Sequence, residues 1–215
     1  MSPWLIVPVK SLTSGKSRLA QTLSAAERRS LNERLLRHVL GVATRFPGRD
    51  HTLVVSACEH ALDLAREHGV LTLKEEGPPE LNAALRQATH YACKRGASEL
   101  VVVHADLPLL SVEDVQRLVE AGRAAKGLAI AANRTLTGTN ALYFPASVQF
   151  AFRFGPDSCR LHMEEAQNQR LASTVISLAG LAFDIDTAQD FEEFTARSAG
   201  ATAADDCKTA PLSAA

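Results

Sequence analysis

Leu5-Ile6-Val7-Pro8-Val9 is an unbroken apolar run that gives way at Lys10 to a polar stretch through Arg18. A run of this kind reads as a strand buried on both faces, here feeding a loop and a helix start near Gly15-Lys16-Ser17-Arg18. Ser24 and Glu27 then have capping-box spacing, and Leu31, Leu35, Val39, Val42 and Phe46 recur at helical intervals until Pro47-Gly48. His51 to Ser56 is a short β-branched strand. Ser56 and Glu59 predict the cap of a helix running to His68-Gly69, and Val70 to Lys74 predicts a third strand.

The alternation continues. A Gly-Pro-Pro loop precedes a helix that starts at Leu81, carries Ala88 and Ala92 inward and ends near Gly96. Glu99 to Val103 reads as a central strand, Ser111 with Asp114 caps a helix ending at Lys126-Gly127, and Leu128 to Ala132 is another strand. Strands alternating with helices imply parallel pairing and right-handed crossovers. Past Ala132 the pattern changes to a polar segment, Asn133 to Asn140, then a strand over Ala141 to Phe144 and an alternating stretch, Phe150 to Phe154. Gly155-Pro156-Asp157-Ser158 opens a helix. Ser173 to Leu178 and Leu181 to Ile185 are expected as the last strands, followed by a helix capped by Thr187 with Asp190 at its third position. From about Arg197 onward Ala, Gly, Ser and Thr dominate without apolar period, so residues 1–196 are expected to form the domain and 197–215 a disordered tail.

Composition narrows the function classes. A chain of 215 residues with 46% apolar and 22% charged residues fits one ordinary α/β domain. A net charge of −1 gives no reason to expect nucleic acid or an anionic membrane as partner, so any anion site must be local. Cys58, Cys93, Cys159 and Cys207 lack metal-binding or disulfide-framework spacing, which suggests reduced thiols. The first strand begins too soon for a signal peptide, no apolar run is long enough to span a bilayer, and the expected location is the cytoplasm.

Gly15-Lys16-Ser17 resembles part of a Walker A loop, but Lys10 stands where that loop needs its first glycine. What remains is a nucleotide-binding loop, with Ser14 and Gly15, in which Lys10, Lys16 and Arg18 either meet a triphosphate or are simply solvated cations. Asn82 either caps its helix or projects into a nucleotide site. Asp106 lies at a strand's carboxyl end, where a lone carboxylate suits a hydrated divalent cation, or else it braces the turn before Pro108. Gly155 and Ser158 form a second candidate phosphate site. Asp184 and Asp186 would share a strand face and reach a metal only beside Asp106; alternatively Asp186 sets the helix entry. Together these features suggest phosphoryl or nucleotidyl transfer.

In this order and spacing, IVPVK-SLTSGKSRLA, ELNAAL, VVHADLPLL, NRTLTGTNALYF, FRFGPDSCRLH and FDIDTAQDF resemble the motifs of the CofC/FbiD guanylyltransferases of deazaflavin coenzyme F-420 biosynthesis. The resemblance implies a single-domain, Rossmann-like nucleotidyltransferase fold, with a mixed, mostly parallel sheet flanked by helices, related to the molybdenum-cofactor guanylyltransferases. It implies GTP as substrate, Mg²⁺ as cofactor and a small phosphorylated acid as acceptor: 2-phospho-L-lactate, phosphoenolpyruvate or 3-phospho-D-glycerate. By position, Lys10, Lys16 and Arg18 would hold the triphosphate and, with Asp106, form the catalytic set. Asp106 and Asp186 would hold the metal, and Thr139, Gly155 and Ser158 the acceptor. A homodimer is compatible with the sequence, which does not give the oligomeric state.

Two positions depart from the family pattern. Asn133 replaces a usual aspartate, and Asp157 replaces a usual glycine beside the acceptor loop. They keep open a GTP-binding partner protein without catalysis; a nucleotidyltransferase with another NTP or a sugar-phosphate acceptor is a further alternative.

Overall fold

In a computed structural model of the protein, which describes residues 2–13 and 15–197, seven strands form one sheet in the order β3-β2-β1-β4-β6-β5-β7. They are β1 (Trp4–Pro8), β2 (Thr52–Ser56), β3 (Leu71–Lys74), β4 (Glu99–Val103), β5 (Leu128–Ala132), β6 (Thr139–Pro145) and β7 (Ser173–Ile176). The pairs β1–β2, β1–β4, β2–β3 and β5–β7 are parallel, whereas β6 is antiparallel to both β4 and β5. The sheet is therefore mixed and mostly parallel, as expected. Because β6 is inserted between β4 and β5, however, those two strands are not neighbours.

Strand alternation sends successive side chains to opposite faces, and each face carries its own helices. Leu5, Val7, Val101 and Val103 pack with α1 (Ala25–Ala43), α2 (Glu59–Glu67) and α4 (Val112–Ala125). Ile6, Leu100, Val102 and Phe144 pack with α3 (Leu81–Lys94), α5 (Ser158–Asn168) and the phenylalanines at 150, 152 and 154. A smaller cluster of Leu19, Leu31, Leu35, Phe183 and Ile185 lies apart from both faces. It joins the loop after β1 to the segment near residue 185. Among the described residues no helix is long and apolar enough to cross a membrane.

Four local expectations change. First, no α-helix starts at Gly15-Lys16-Ser17; a three-residue 3-10 turn, Ser17–Leu19, is followed by α1, whose N-terminus is set by the Ser24–Glu27 capping box. A helix-end contribution to phosphate binding at Lys16 is thereby lost. Second, Ser56 does not cap α2. Its hydroxyl donates to Val9 O at 2.7 Å and accepts the Cys58 N–H at 2.9 Å, tying the ends of β1 and β2 together. Third, Asn82 is not a cap, because Glu80 accepts the Asn82 and Ala83 N–H groups at 2.8 and 2.6 Å.

Fourth, Leu181 to Ile185 is not a strand. It comprises the end of α6 (Ala179–Ala182) and an irregular segment leading to a final helix over 188–197. Gly180 explains the departure: a Cβ there would lie 2.1 Å from Asp114 Oδ2 and 2.6 Å from Leu109 O, so the chain turns against α4 instead of extending. Ser14, placed in the nucleotide loop from sequence, and the expected tail beyond residue 197 lie outside the described residues.

Gly180→Ala is expected to lower unfolding stability by about 2 kcal/mol or more in denaturant titrations, since backbone at that distance cannot yield cheaply. Gly41→Ala in α1, where a Cβ meets nothing within 4 Å, is expected to raise it by about 0.5–1 kcal/mol.

Candidate active site

β1 and β4 are adjacent and parallel, but the chain leaves β1 toward β2 and leaves β4 for the other half of the sheet. A crevice forms at such a switch point, outside the strands' carboxyl ends. Here it is a cleft of about 310 Å³ whose lining includes Lys10, Gly15 and Lys16 after β1, His104 and Asp106 after β4, and Asp186. The loop after β1 is braced from α1, where Asn32 Nδ2 donates to Leu12 O at 2.9 Å. Gly15 suits that approach, since a Cβ there would fit tightly, 3.1 Å from Asn32 Nδ2 and 3.2 Å from Ser11 O. Leu19, buried in the small apolar cluster, anchors the loop's far end.

Lys16 is the focus of the cleft. Its side chain is only 6% exposed, and its ammonium lies 3.3 Å from Asp106 Oδ2 and 3.7 Å from Asp186 Oδ1 while donating to Ile185 O. Asp184 is close by. Burial, followed by the Asp106 charge, pushes its carboxyl above the usual range, and Asn140 Nδ2 steadies it by donating to Asp184 Oδ1 at 3.2 Å and to Leu181 O at 2.9 Å. Phe183 and Ile185 are buried in the small cluster, and Asp186, next in the chain, lines the cleft without any strand to place it. His104 contributes an imidazole that burial pushes down, against the pull of Asp106 and Asp186, and its Nε2 is enclosed without a partner. Lys10 and Arg18 are exposed and form no ion pair among the described residues.

A divalent cation fits this donor set. Asp106 Oδ1 is enclosed and unpartnered, and the position between Asp106 and Asp186 already attracts an ammonium. Among the described residues no three acidic, histidine or cysteine side chains converge as a complete metal cage. Mg²⁺ needs none, because it retains waters and binds through one or two carboxylates plus substrate phosphates.

The cleft continues through Pro8, Val9, Lys10 and Leu81 into a second trough of about 500 Å³ beside Ala57, Glu75 and Glu80. Asn82, beside this trough, grips a different loop: it accepts the Phe154 N–H at 2.9 Å and donates to Phe154 O at 3.2 Å. Phe154 in turn packs 5.0 Å from the His104 ring and 4.7 Å from His162, between centroids.

Thr139 and Ser158 are brought together, buried, on that side. The Thr139 N–H donates to Ser158 Oγ at 2.9 Å. His162 is buried beneath them. Its Nε2 must accept the Arg153 N–H at 3.0 Å, so its Nδ1 carries the proton and donates to Thr139 Oγ1 at 3.0 Å. The Thr139 hydroxyl keeps its own hydrogen for another acceptor. Gly155, at φ +139°, has open space where a Cβ would be.

Neither departure from the family pattern disturbs this wall. Asn133 Oδ1 accepts from the Thr135 hydroxyl and the Thr137 and Gly138 N–H groups at 3.0–3.1 Å, work an amide oxygen does as well as a carboxylate. Asp157 has φ +56°, the left-handed region that favours glycine and tolerates aspartate, and its side chain is exposed. It pairs with neither Arg153 nor Arg160; Arg160 pairs with Glu164.

The predicted Lys10, Gly15, Lys16, Asp106 and Asp186 thus share one cleft, while Thr139, Gly155 and Ser158 lie on the Phe154 side, Asn82 holds the Phe154 backbone, and exposed Arg18 does not line the cleft. Sequence reasoning did not single out His104, Asn140 or His162. Asn140 closes a polar segment and gives no signal of its role, and the histidines carry no spacing signal.

The family model for CofC-like guanylyl transferases matches residues 4–210. The chain is 36% identical over 211 residues to a phosphoenolpyruvate guanylyltransferase of Sphaerobacter thermophilus, covering 97% of this chain and 100% of that one. It is 34% identical over 200 residues to a 2-phospho-L-lactate guanylyltransferase of Methanothermobacter thermautotrophicus, covering 93% and 87% respectively. A solved nucleotidyl transferase from Methanothermobacter superposes with a TM-score of 0.61 at 15% identity over 90% of this chain and 95% of that one, a likeness of fold.

His162 generates a pH prediction. Burial, then the nearby His104, pushes its imidazole down to about 4 from an ordinary 6.5, so between those values the unfolded chain binds the extra proton. Stability is therefore lost as pH falls from 6.5 toward 4, by as much as about 3 kcal/mol. Denaturant titrations at pH 7.5 and 4.5 are expected to show this fall in the wild type and a smaller fall in His162→Gln.

Proposed function

Because the chain belongs to the CofC-like guanylyl transferase family, we propose that its cleft transfers GMP from GTP to the phosphate of a small phosphorylated carboxylic acid. Phosphoenolpyruvate leads the acceptors by the name of the Sphaerobacter relative, and 2-phospho-L-lactate and 3-phospho-D-glycerate complete the panel. The observation that carries the proposal is the Lys16 ammonium enclosed between Asp106 and Asp186 at the β1–β4 switch point, with Lys10, which has no ion pair among the described residues, lining the same cleft.

The triphosphate lies along the loop after β1, where Lys10, Lys16 and Arg18 offset its charge, and the guanine occupies the trough beside Ala57 and Glu80. An acceptor phosphate oxygen attacks the α-phosphorus in line, a new P–O bond forms, and the bond to the β-phosphate oxygen breaks to release pyrophosphate. The attacking oxygen is already anionic near neutral pH, so no general base is required. Asp106 and Asp186 would hold Mg²⁺, which would offset charge on the reacting phosphates. Thr139, Gly155 and Ser158 receive the acceptor, and His162 sets the Thr139 hydroxyl as a donor toward it. The work is mostly positioning and charge compensation. The intact hydrogen-bonding role of Asn133 supports an active enzyme over a binding-only protein.

Incubation with GTP, Mg²⁺ and each acceptor is expected to yield pyrophosphate and a product heavier than the acceptor by one GMP residue. No product with any of the three, or preference for another NTP, would overturn the proposal. Asp106→Asn is expected to lower kcat by roughly 100-fold or more while the melting temperature stays near that of the wild type. Parallel losses of both would instead assign Asp106 to folding.

A further inference from the structure

The peptide bond between Ile185 and Asp186 is gripped from both sides. Its carbonyl, Ile185 O, accepts from the Lys16 ammonium, and its N–H, on Asp186, donates to Asp190 Oδ2 at 3.1 Å. In a trans peptide these two groups point in opposite directions, so the plane that carries the Asp186 side chain is clamped between them. The same Asp190 oxygen accepts the Thr187 N–H and hydroxyl, each at 2.8 Å, which is the capping box expected from sequence. Two features go beyond a cap: the added bond to Asp186, and the use of the other Asp190 oxygen.

That other oxygen, Oδ1, accepts from Arg134, which reaches over from the loop before β6. Arg134 also donates to Glu193 Oε2 at 2.6 Å, and its guanidinium lies 4.6 Å over the Phe183 ring. Asp190 is nearly buried. The Arg134 guanidinium sets its positive charge directly against the Asp190 carboxylate. Without Arg134, Asp190 would add an uncompensated negative charge beside Asp184 and Asp186.

We propose that Arg134 and Asp190 are positioning residues that hold the Asp186 carboxylate in place for the divalent cation. The proposal rests on the reading that Asp106 and Asp186 hold that cation. It has a particular consequence for the nucleotide-bound state. When Lys16 turns to the triphosphate, one of the two grips on the 185–186 peptide is released, and the Asp190 grip remains. Partners that orient metal ligands without touching the metal typically affect metal affinity by about 10–100-fold.

The test is binding of Mn²⁺·GTP followed by water-proton relaxation, with melting temperature measured alongside. Wild type is expected to bind, Asp186→Asn to lose binding, Arg134→Met to bind roughly tenfold more weakly, and Arg134→Lys to recover part of that loss. Arg197→Met serves as the control, because Arg197 pairs with Glu193 and lies over Phe183 but makes no bond to Asp190; its binding is expected to match wild type. If Asp186→Asn binds like wild type, or wild type does not bind, the metal reading fails and the proposal with it. If Asp186→Asn loses binding while Arg134→Met keeps wild-type affinity, or loses it only in proportion to a fall in melting temperature shared by Arg134→Lys, the positioning role alone is overturned.

Discussion

Asp106 and Asp186 face one cleft at the carboxyl end of the sheet, with Asp184 close by, and neighbouring like charges oppose one another unless a cation stands among them. In the protein alone that cation is Lys16, held between two of the three carboxylates. The remaining stress is visible in Asp184, whose carboxyl is pushed up by burial and by Asp106. A site of this kind is built to receive positive charge. On the proposed function it also exchanges it, because the lysine that compensates the carboxylates lies in the loop proposed to meet the triphosphate.

The fold supplies this convergence by indirect means. The switch between β1 and β4 brings Lys10, Lys16 and Asp106 to one crevice through chain crossovers alone. Asp186 arrives differently. No strand carries it; the small cluster of Leu19, Phe183 and Ile185 fixes both the end of the lysine loop and the acidic segment. Asn140 and Asp190 then replace the ladder bonds that a strand would have provided. The wall around Thr139, Gly155 and Ser158 uses similar devices, with Asn82 and His162 holding the backbone at Phe154 and Arg153.

Much of this was legible in the residues. Apolar runs at Leu5 and Val101 marked the central strands, and the boxes at Ser24 and Ser111 marked helix starts, because both signals act over a few neighbouring positions. The place of Asp106 in the cleft follows from the strand before it. The failures share a physical cause. Gly180 turns the chain because Leu109 and Asp114 lie against it, and Glu80 outcompetes Asn82 for the α3 cap because Asn82 is engaged by a residue 72 positions away. Contacts of that range leave no periodic trace. The same holds for His162, whose importance lies in one backbone N–H and one hydroxyl contributed by other elements.

The central claim is that one cleft holds the triphosphate on Lys10, Lys16 and Arg18 and the divalent cation on Asp106 and Asp186. A crystal structure with Mn²⁺ and a non-hydrolysable GTP analogue, with the metal located by anomalous scattering, tests it most directly. The account requires a peak on the order of 2 Å from oxygens of both carboxylates, with Lys16 moved onto the phosphates. A metal ligated elsewhere, or a nucleotide bound while Lys16 still spans Asp106 and Asp186, would contradict it.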